Sequence, residues 1–190
     1  MRRTRGTSLV ELLVGAAVGL LVLTAVTGTL AAGGRALVRG GARAEAADTA
    51  ALAIEAFLFD ARRAGHDPSA AGIEPLVQAD AERLAVQADL DGDGTVDTAS
   101  AELVAWRCNA AARRLSRLVG AQSLPLADRV ARCRFDYLDR DGTVLAIPPG
   151  GLDAAGRASV AAVVLDFALA PRGGGPTVAR TIAVSPRSRT

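Results

Sequence analysis

The sequence predicts an α+β protein: one long N-terminal helix, its first half suited to a membrane, followed by a head of antiparallel strands. Three observations predict this. Residues 9–32 hold a single ionisable side chain, Glu11, in an otherwise apolar run. Small and apolar residues then recur at three- and four-residue spacing as far as Ala61. After Pro75 the pattern changes to short alternating runs separated by Gly-, Asp- and Pro-rich turns. Helix first and strands afterwards is the order of an α+β domain with the helix covering a sheet face.

The first element is the apolar run. Its roughly 24 residues span about 36 Å as a helix at ~1.5 Å per residue, enough to cross a hydrocarbon core. Arg2, Arg3 and Arg5 precede it and no acid occurs among the first ten residues. That asymmetry places the N-terminus on the cytoplasmic side and the remainder across the membrane. An ordinary secretory signal has a shorter apolar centre and a small-x-small cleavage site. The run here is longer, with small residues scattered throughout, so the plain alternative is an uncut signal anchor. Glu11 argues for more than an anchor. A carboxylate in an apolar span costs on the order of 2–3 kcal/mol and marks a functional site whose partner must be named. A positive charge on a neighbouring subunit would serve.

The helix continues past Ala32. Gly33, Gly34, Gly40 and Gly41 loosen it, each by up to about 1 kcal/mol relative to Ala, which suggests a hinge. Beyond them Ala47, Ala51, Ile54, Leu58 and Ala61 form an apolar stripe with Phe57 beside it. Arg62 and Arg63 suit the last turn, Gly65 the stop, and Pro68 the exit. One helix over about residues 8–64 follows.

Residues 6–13, Gly-Thr-Ser-Leu-Val-Glu-Leu-Leu, resemble the prepilin leader of type IV pilins and type II secretion pseudopilins. Shared features are a short basic leader, a Gly before the cut, an acid five residues after it and a long apolar helix. The resemblance implies a prepilin peptidase that cuts between Gly6 and Thr7 and methylates the new amine of Thr7. It implies that Glu11 pairs with the N-terminal amine of an adjacent subunit. Thr7 departs from the Phe usual at that place. Residues 59–66, Phe-Asp-Ala-Arg-Arg-Ala-Gly-His, resemble the end of this helix in PilW-like minor pilins, with His66 where Tyr is more usual. Residues 126–130 and 135–142 continue the likeness into the head. The implied organisation is a leader over 1–6, a transmembrane and assembly half over 7–32, an amphipathic half over 33–65, and a β-rich periplasmic head over 66–190.

In the head, candidate strands lie at 83–88, 102–109, 129–138, 159–170 and 177–184. In the fourth, Val163, Leu165, Phe167 and Leu169 share a face. The glycine run at 173–175 turns it back into the fifth as a hairpin. The stretch 89–97 carries Asp89, Asp91, Asp93, Thr95 and Asp97 in the alternation that opens a calcium loop. Ser100 stands where a bidentate Glu belongs, and Glu102 follows two residues later. A Gly-rich turn that uses Asp for its turn chemistry explains the same residues. Calcium and a bare turn both remain open. Cys108 and Cys133 each fall in a candidate strand on the oxidising side of the membrane, where a disulfide is favoured over two buried thiols.

The composition narrows the function. All 22 basic residues are Arg, and the three before the apolar run leave 19 against 20 acids, so the body is near neutral. No basic stripe marks a nucleic-acid surface. The single His falls in a turn, and no nucleophile–base pair, phosphate loop or zinc motif assembles, so an enzyme is not expected. The resemblance implies a minor pilin that helps begin or cap a type IV pilus, anchored by one pass in a bacterial inner membrane. Its partners would be the prepilin peptidase, other major and minor pilins, and the inner-membrane assembly platform. Alternatives are a minor pseudopilin of type II secretion, or a filament-tip or anchored module binding DNA, a surface or a secreted substrate through residues 89–97 or the tail 187–190.

Overall fold

The computed structural model describes residues 8–186. The chain divides into two compact units, Met1–Gly41 and Ala42–Thr190. Helix α1 (Leu9–Arg63) supplies all the described secondary structure of the first unit and opens the second. It runs unbroken through Gly33, Gly34, Gly40 and Gly41, where the sequence suggested a hinge. The physical reason is cooperativity: in a 55-residue helix rich in Ala and Leu, each added residue brings a hydrogen bond that offsets the glycine penalty.

Within the second unit α1 buries Ala46, Ala50, Ala53, Phe57, Asp60 and Ala61, and Ala64 just past its end is buried too. This stripe is rotated by about one residue from the predicted one. Ala51 is exposed, and Ala47, Ile54 and Leu58 are only partly covered. Alanine occupies so many positions that apolar spacing alone does not fix the face. Phe57 does: its ring meets Trp106 edge-on at 5.5 Å and lies 6.1 Å from Phe135. Aromatics are few, yet Phe57, Trp106, Phe135, Tyr137 and Phe167 are all fully buried and Phe59 alone is exposed. Concentrating them in one cluster lets an Ala- and Val-rich chain fill its interior. The helix stops at Gly65, whose φ of +74° is left-handed and whose N–H donates to Gln87 O at 2.8 Å.

The strands form two antiparallel sheets, where the sequence had suggested one. The first has order β1 (Leu76–Ala79), β2 (Arg83–Gln87), β3 (Leu103–Asn109), β4 (Arg114–Val119), β5 (Gln122–Asp128). The second has order β6 (Val130–Leu138), β7 (Ala162–Leu169), β8 (Val178–Val184), with a short helix α2 (Ala154–Ser159) before β7. Thus β1, β4, β5 and α2 are additions to the predicted elements, and 159–161 belongs to α2 and its exit, not to a strand. The break between sheets falls at Arg129, held at φ +59° with its carbonyl accepting from Ala170 N at 3.0 Å. Between β4 and β5, Gly120 (φ +54°) has no room for a side chain, because a Cβ there would meet Ala99 O at 2.7 Å. The outer edge of β1 is covered: Ala79 O accepts from Leu152 N at 2.8 Å and Leu76 O from Arg157 Nε at 3.2 Å.

One ionic contact ties the helix to the larger sheet. Asp60, almost fully buried, accepts from Arg117 Nε at 2.6 Å and Nη2 at 2.9 Å, and from Trp106 Nε1 at 3.1 Å. The hydrogen bond to Asp60 raises the Arg117 pKa further, against the effect of burial. Removing one partner of such a pair leaves a buried charge unmatched. Asp60→Ala is therefore expected to destabilise the head by about 3–5 kcal/mol in urea denaturation followed by Trp106 fluorescence. A loss under about 1 kcal/mol would show that water replaces the carboxylate at little cost.

Candidate functional site

Three groups of predicted site residues occupy different places. The first is the start of α1. Gly6 and Thr7, the expected processing junction, lie outside the described residues, as does the tail 187–190. Glu11 is in the first turn, and its Oε2 lies 3.4 Å from the backbone N–H of Ser8. Leu12 N donates to Ser8 O at 3.1 Å. Ser-x-x-Glu at a helix start is a capping box, in which the Glu reaches back to the N-cap amide. That local signal was present in the sequence and gives Glu11 a role within its own helix. At 3.4 Å the bond is at the long limit, and Glu11 makes no other hydrogen bond or ion pair among the described residues.

From Leu9 to Val38 every residue of α1 is exposed, including Leu13, Leu21 and Leu30. The helix is long and apolar enough to cross a membrane, and it is the one such helix among the described residues. Its few polar groups are satisfied internally. Thr24 Oγ1 donates to Leu21 O and Thr27 Oγ1 to Leu23 O, both at 2.9 Å, and Thr29 Oγ1 to Ala25 O. Hydroxyls that bond back to their own helix carry no unmet donor into hydrocarbon.

The second group is the Asp-rich loop after β2. Asp89 is fully buried: Oδ1 accepts from Gly92 N at 2.7 Å, and Oδ2 from Gly94 N at 3.0 Å and Ser69 Oγ at 2.8 Å. Glu102 closes the loop from its far side. Its Oε1 accepts from Leu90 N at 2.7 Å and Asp91 N at 3.4 Å, and its Oε2 from Asp97 N at 2.7 Å. Carboxylate oxygens of Asp89, Asp91 and Glu102 lie within 4.8 Å of one another. Asp93, Thr95 and Asp97 are not in this group. Asp93 accepts from Thr95 N at 2.7 Å and Asp97 from Ala99 N at 2.9 Å, each a local turn. Asp89, Asp91 and Glu102 are thus the residues that could hold a divalent cation. They supply three carboxylates where calcium takes six to eight oxygens. The backbone N–H bonds account for the same carboxylates as turn-formers.

A neighbouring carboxylate, Asp67, organises the facing loop by accepting from Ala71 N, Gly72 N and Ile73 N at 2.7–3.0 Å. Ser69 Oγ lies 3.0 Å from Asp67 and 2.8 Å from Asp89, with one proton to give. His66 belongs to the same junction through its backbone: its N–H donates to Arg63 O and its carbonyl accepts from Asp89 N. For Asp67 and Asp89, desolvation pushes the pKa up. For Asp67 it is outweighed by the amides of Ile73, Ala71 and Gly72, and for Asp89 by Ser69 and the amides of Gly92 and Gly94, despite the Asp67 charge; the single Ser69 proton serves one of the two carboxylates at a time.

The third group is Cys108 on β3 and Cys133 on β6, joined as a disulfide with Cα atoms 5.5 Å apart. It links the two sheets directly, beside the cluster of Phe57, Trp106 and Phe135. Cys108 is buried on the same inward face of β3 as Trp106.

No protein-family model and no curated protein matches this chain.

Two outcomes follow from the geometry. Asp67 and Asp89 sit below the ordinary Asp value of 3.8, so their contribution is complete above that pH and is lost as pH falls through the folded values. Stability of the head should hold from neutral pH down to about pH 4 and drop below it, and Asp67→Asn should flatten that acid limb. An unchanged acid limb in that variant would remove Asp67 from the account. Cys108→Ala with Cys133→Ala should lower stability by about 3 kcal/mol on chain-entropy grounds, read as a lower urea midpoint. Equal midpoints for variant and parent would mean that the bridge adds no stability.

Proposed function

We propose that this chain is a PilW-like minor pilin, a structural subunit that helps begin or cap a type IV pilus, held in the inner membrane by α1 until assembly. The observation that carries the reading is Glu11. It lies in the apolar, exposed first half of α1, five residues beyond a Gly6–Thr7 junction that has three arginines before it. An α+β chain with one long apolar N-terminal helix and antiparallel sheets is compatible with the layout of such subunits.

The mechanism is packing. The three arginines hold the N-terminus on the cytoplasmic face, where a prepilin peptidase reaches the junction. Cutting after Gly6 replaces a basic leader with one ammonium group on Thr7, which the same enzyme methylates. As membrane helices bundle into a filament, Glu11 accepts that ammonium from a neighbouring subunit. A buried pair of this kind sets axial register more than it adds net stability, since desolvation of both ions offsets most of their attraction. The long, singly bonded capping contact to Ser8 leaves carboxylate acceptor capacity for that partner. The role is structural, not enzymatic. A type II secretion pseudopilin shares the leader and the register device, and its co-assembling partners would tell the two apart.

Glu11→Ala should insert into the membrane and be cleaved as the parent is, yet assemble poorly, with filament counts sharply reduced. Mass spectrometry of the mature protein should find Thr7 as its first residue. Normal filament numbers in the variant defeat the register mechanism; an intact leader leaves a plain signal anchor.

A further inference from the structure

Between the covered edge of β1 and the end of β8, the second unit holds a cavity of about 430 Å³. Its walls are partly aliphatic, from Pro75, Leu76 and Val160, and partly charged, from Arg140, Arg157 and Glu74. We propose that this cavity binds a carboxylate carried on a short aliphatic chain, as a free acid or as the C-terminus of a peptide. The inference is independent of the assembly role of α1.

The argument starts from Arg157. Its guanidinium is half-buried and locked, Nε on Leu76 O at 3.2 Å and Nη1 on Leu152 O at 2.9 Å. Both acceptors are neutral carbonyls, so the cation is positioned without being neutralised. Arg140, exposed on the turn after β6, brings a second guanidinium with no hydrogen-bond partner of its own among the described residues. No ion pair among those residues includes Arg140, Arg157 or Glu74. Elsewhere on the head Arg114, Arg117, Arg132 and Arg134 each have an Asp partner. Two guanidiniums without an ion-pair partner line one cavity with Leu76 and Val160, which suits a carboxylate: its oxygens accept guanidinium N–H groups and its hydrocarbon part covers the aliphatic side chains. The volume lies in the range of small-ligand pockets. Glu74 is the one opposing charge on the wall. It weakens the site for any anion, which makes it the decisive residue to change.

The test is calorimetry on the full chain in lipid nanodiscs. The probes are the tripeptide N-acetyl-Ala-Leu-Val with a free C-terminal carboxylate, the same peptide amidated, and isocaproate. Saturable binding of the free-carboxylate peptide is expected, with the amide weaker by about tenfold or more. Arg140→Gln, an exposed change that touches no internal bond, should weaken binding about tenfold, and Glu74→Gln should tighten it. A gain in affinity cannot come from misfolding. Isocaproate binding as well as the peptide identifies a free acid as sufficient; binding of the peptide alone identifies a chain terminus. The proposal is overturned if neither probe saturates at millimolar concentration, if acid and amide bind alike, or if both variants bind as the parent does.

Discussion

The head depends on how α1 is anchored, and the anchor is a buried carboxylate. An alanine-rich helix face slides easily over a sheet, because one small apolar contact is as good as the next. Asp60 removes that degeneracy. It must meet the fork of Arg117 and the indole N–H of Trp106 together, and one azimuth and one height of the helix satisfy all three bonds. Phe57, one turn earlier, then falls edge-on to Trp106 and close to Phe135, so the helix engages both sheets. The Cys108–Cys133 bridge secures the same junction covalently. In a core short of large side chains, these polar and covalent contacts supply the specificity that shape complementarity supplies elsewhere.

The loops beyond the helix solve a related problem. Residues 66–75 and 89–101 lie outside regular strands, so their amides need acceptors. Asp67, Asp89 and Glu102 provide them, each carboxylate taking two or more backbone N–H groups. An acid serves here because two oxygens accept several bonds at once, where a hydroxyl or amide would fill fewer.

Much of this was legible in the sequence, and the gaps have physical causes. The long helix, its stop at Gly65, the β7–β8 hairpin and the inward row Val163, Leu165, Phe167 and Leu169 follow from periodicity and turn chemistry. Strand β5 was hidden by Pro125, which argues against a central strand; β5 is an edge strand, where the missing N–H does no harm. Strand β4, Arg-Leu-Ser-Arg-Leu-Val, lacks clean alternation, and β1 is too short to show any. The rotation of the buried helix face was invisible because Ala marks no face. In the sequence Asp60 is one residue of an end-of-helix pattern, and nothing local marks it as a clamp, since its partners lie 46 and 57 residues away. Glu102 is the analogous case in the loop: it stands two places past the expected ligand position and still reaches Asp89 and Asp91.

Glu11 carries the largest step from structure to function, and two demands meet on it. As the third residue of the helix it stabilises its own N-terminus, by its reach to Ser8 and by placing a negative charge at the positive end of the helix dipole. As the register device proposed above it would give its charge to another chain. The two are compatible only if the outside partner is the stronger donor. A backbone amide at 3.4 Å is a weak one. An ammonium created by cleavage would be a full charge, and in a low-dielectric bundle it would attract the carboxylate more strongly than an amide dipole does. Cleavage would therefore switch Glu11 from an intrahelical to an intersubunit role, without moving the helix that carries it. An uncut leader would withhold the ammonium and leave the capping bond in place. On this view processing and assembly are coupled by the charge state at Thr7.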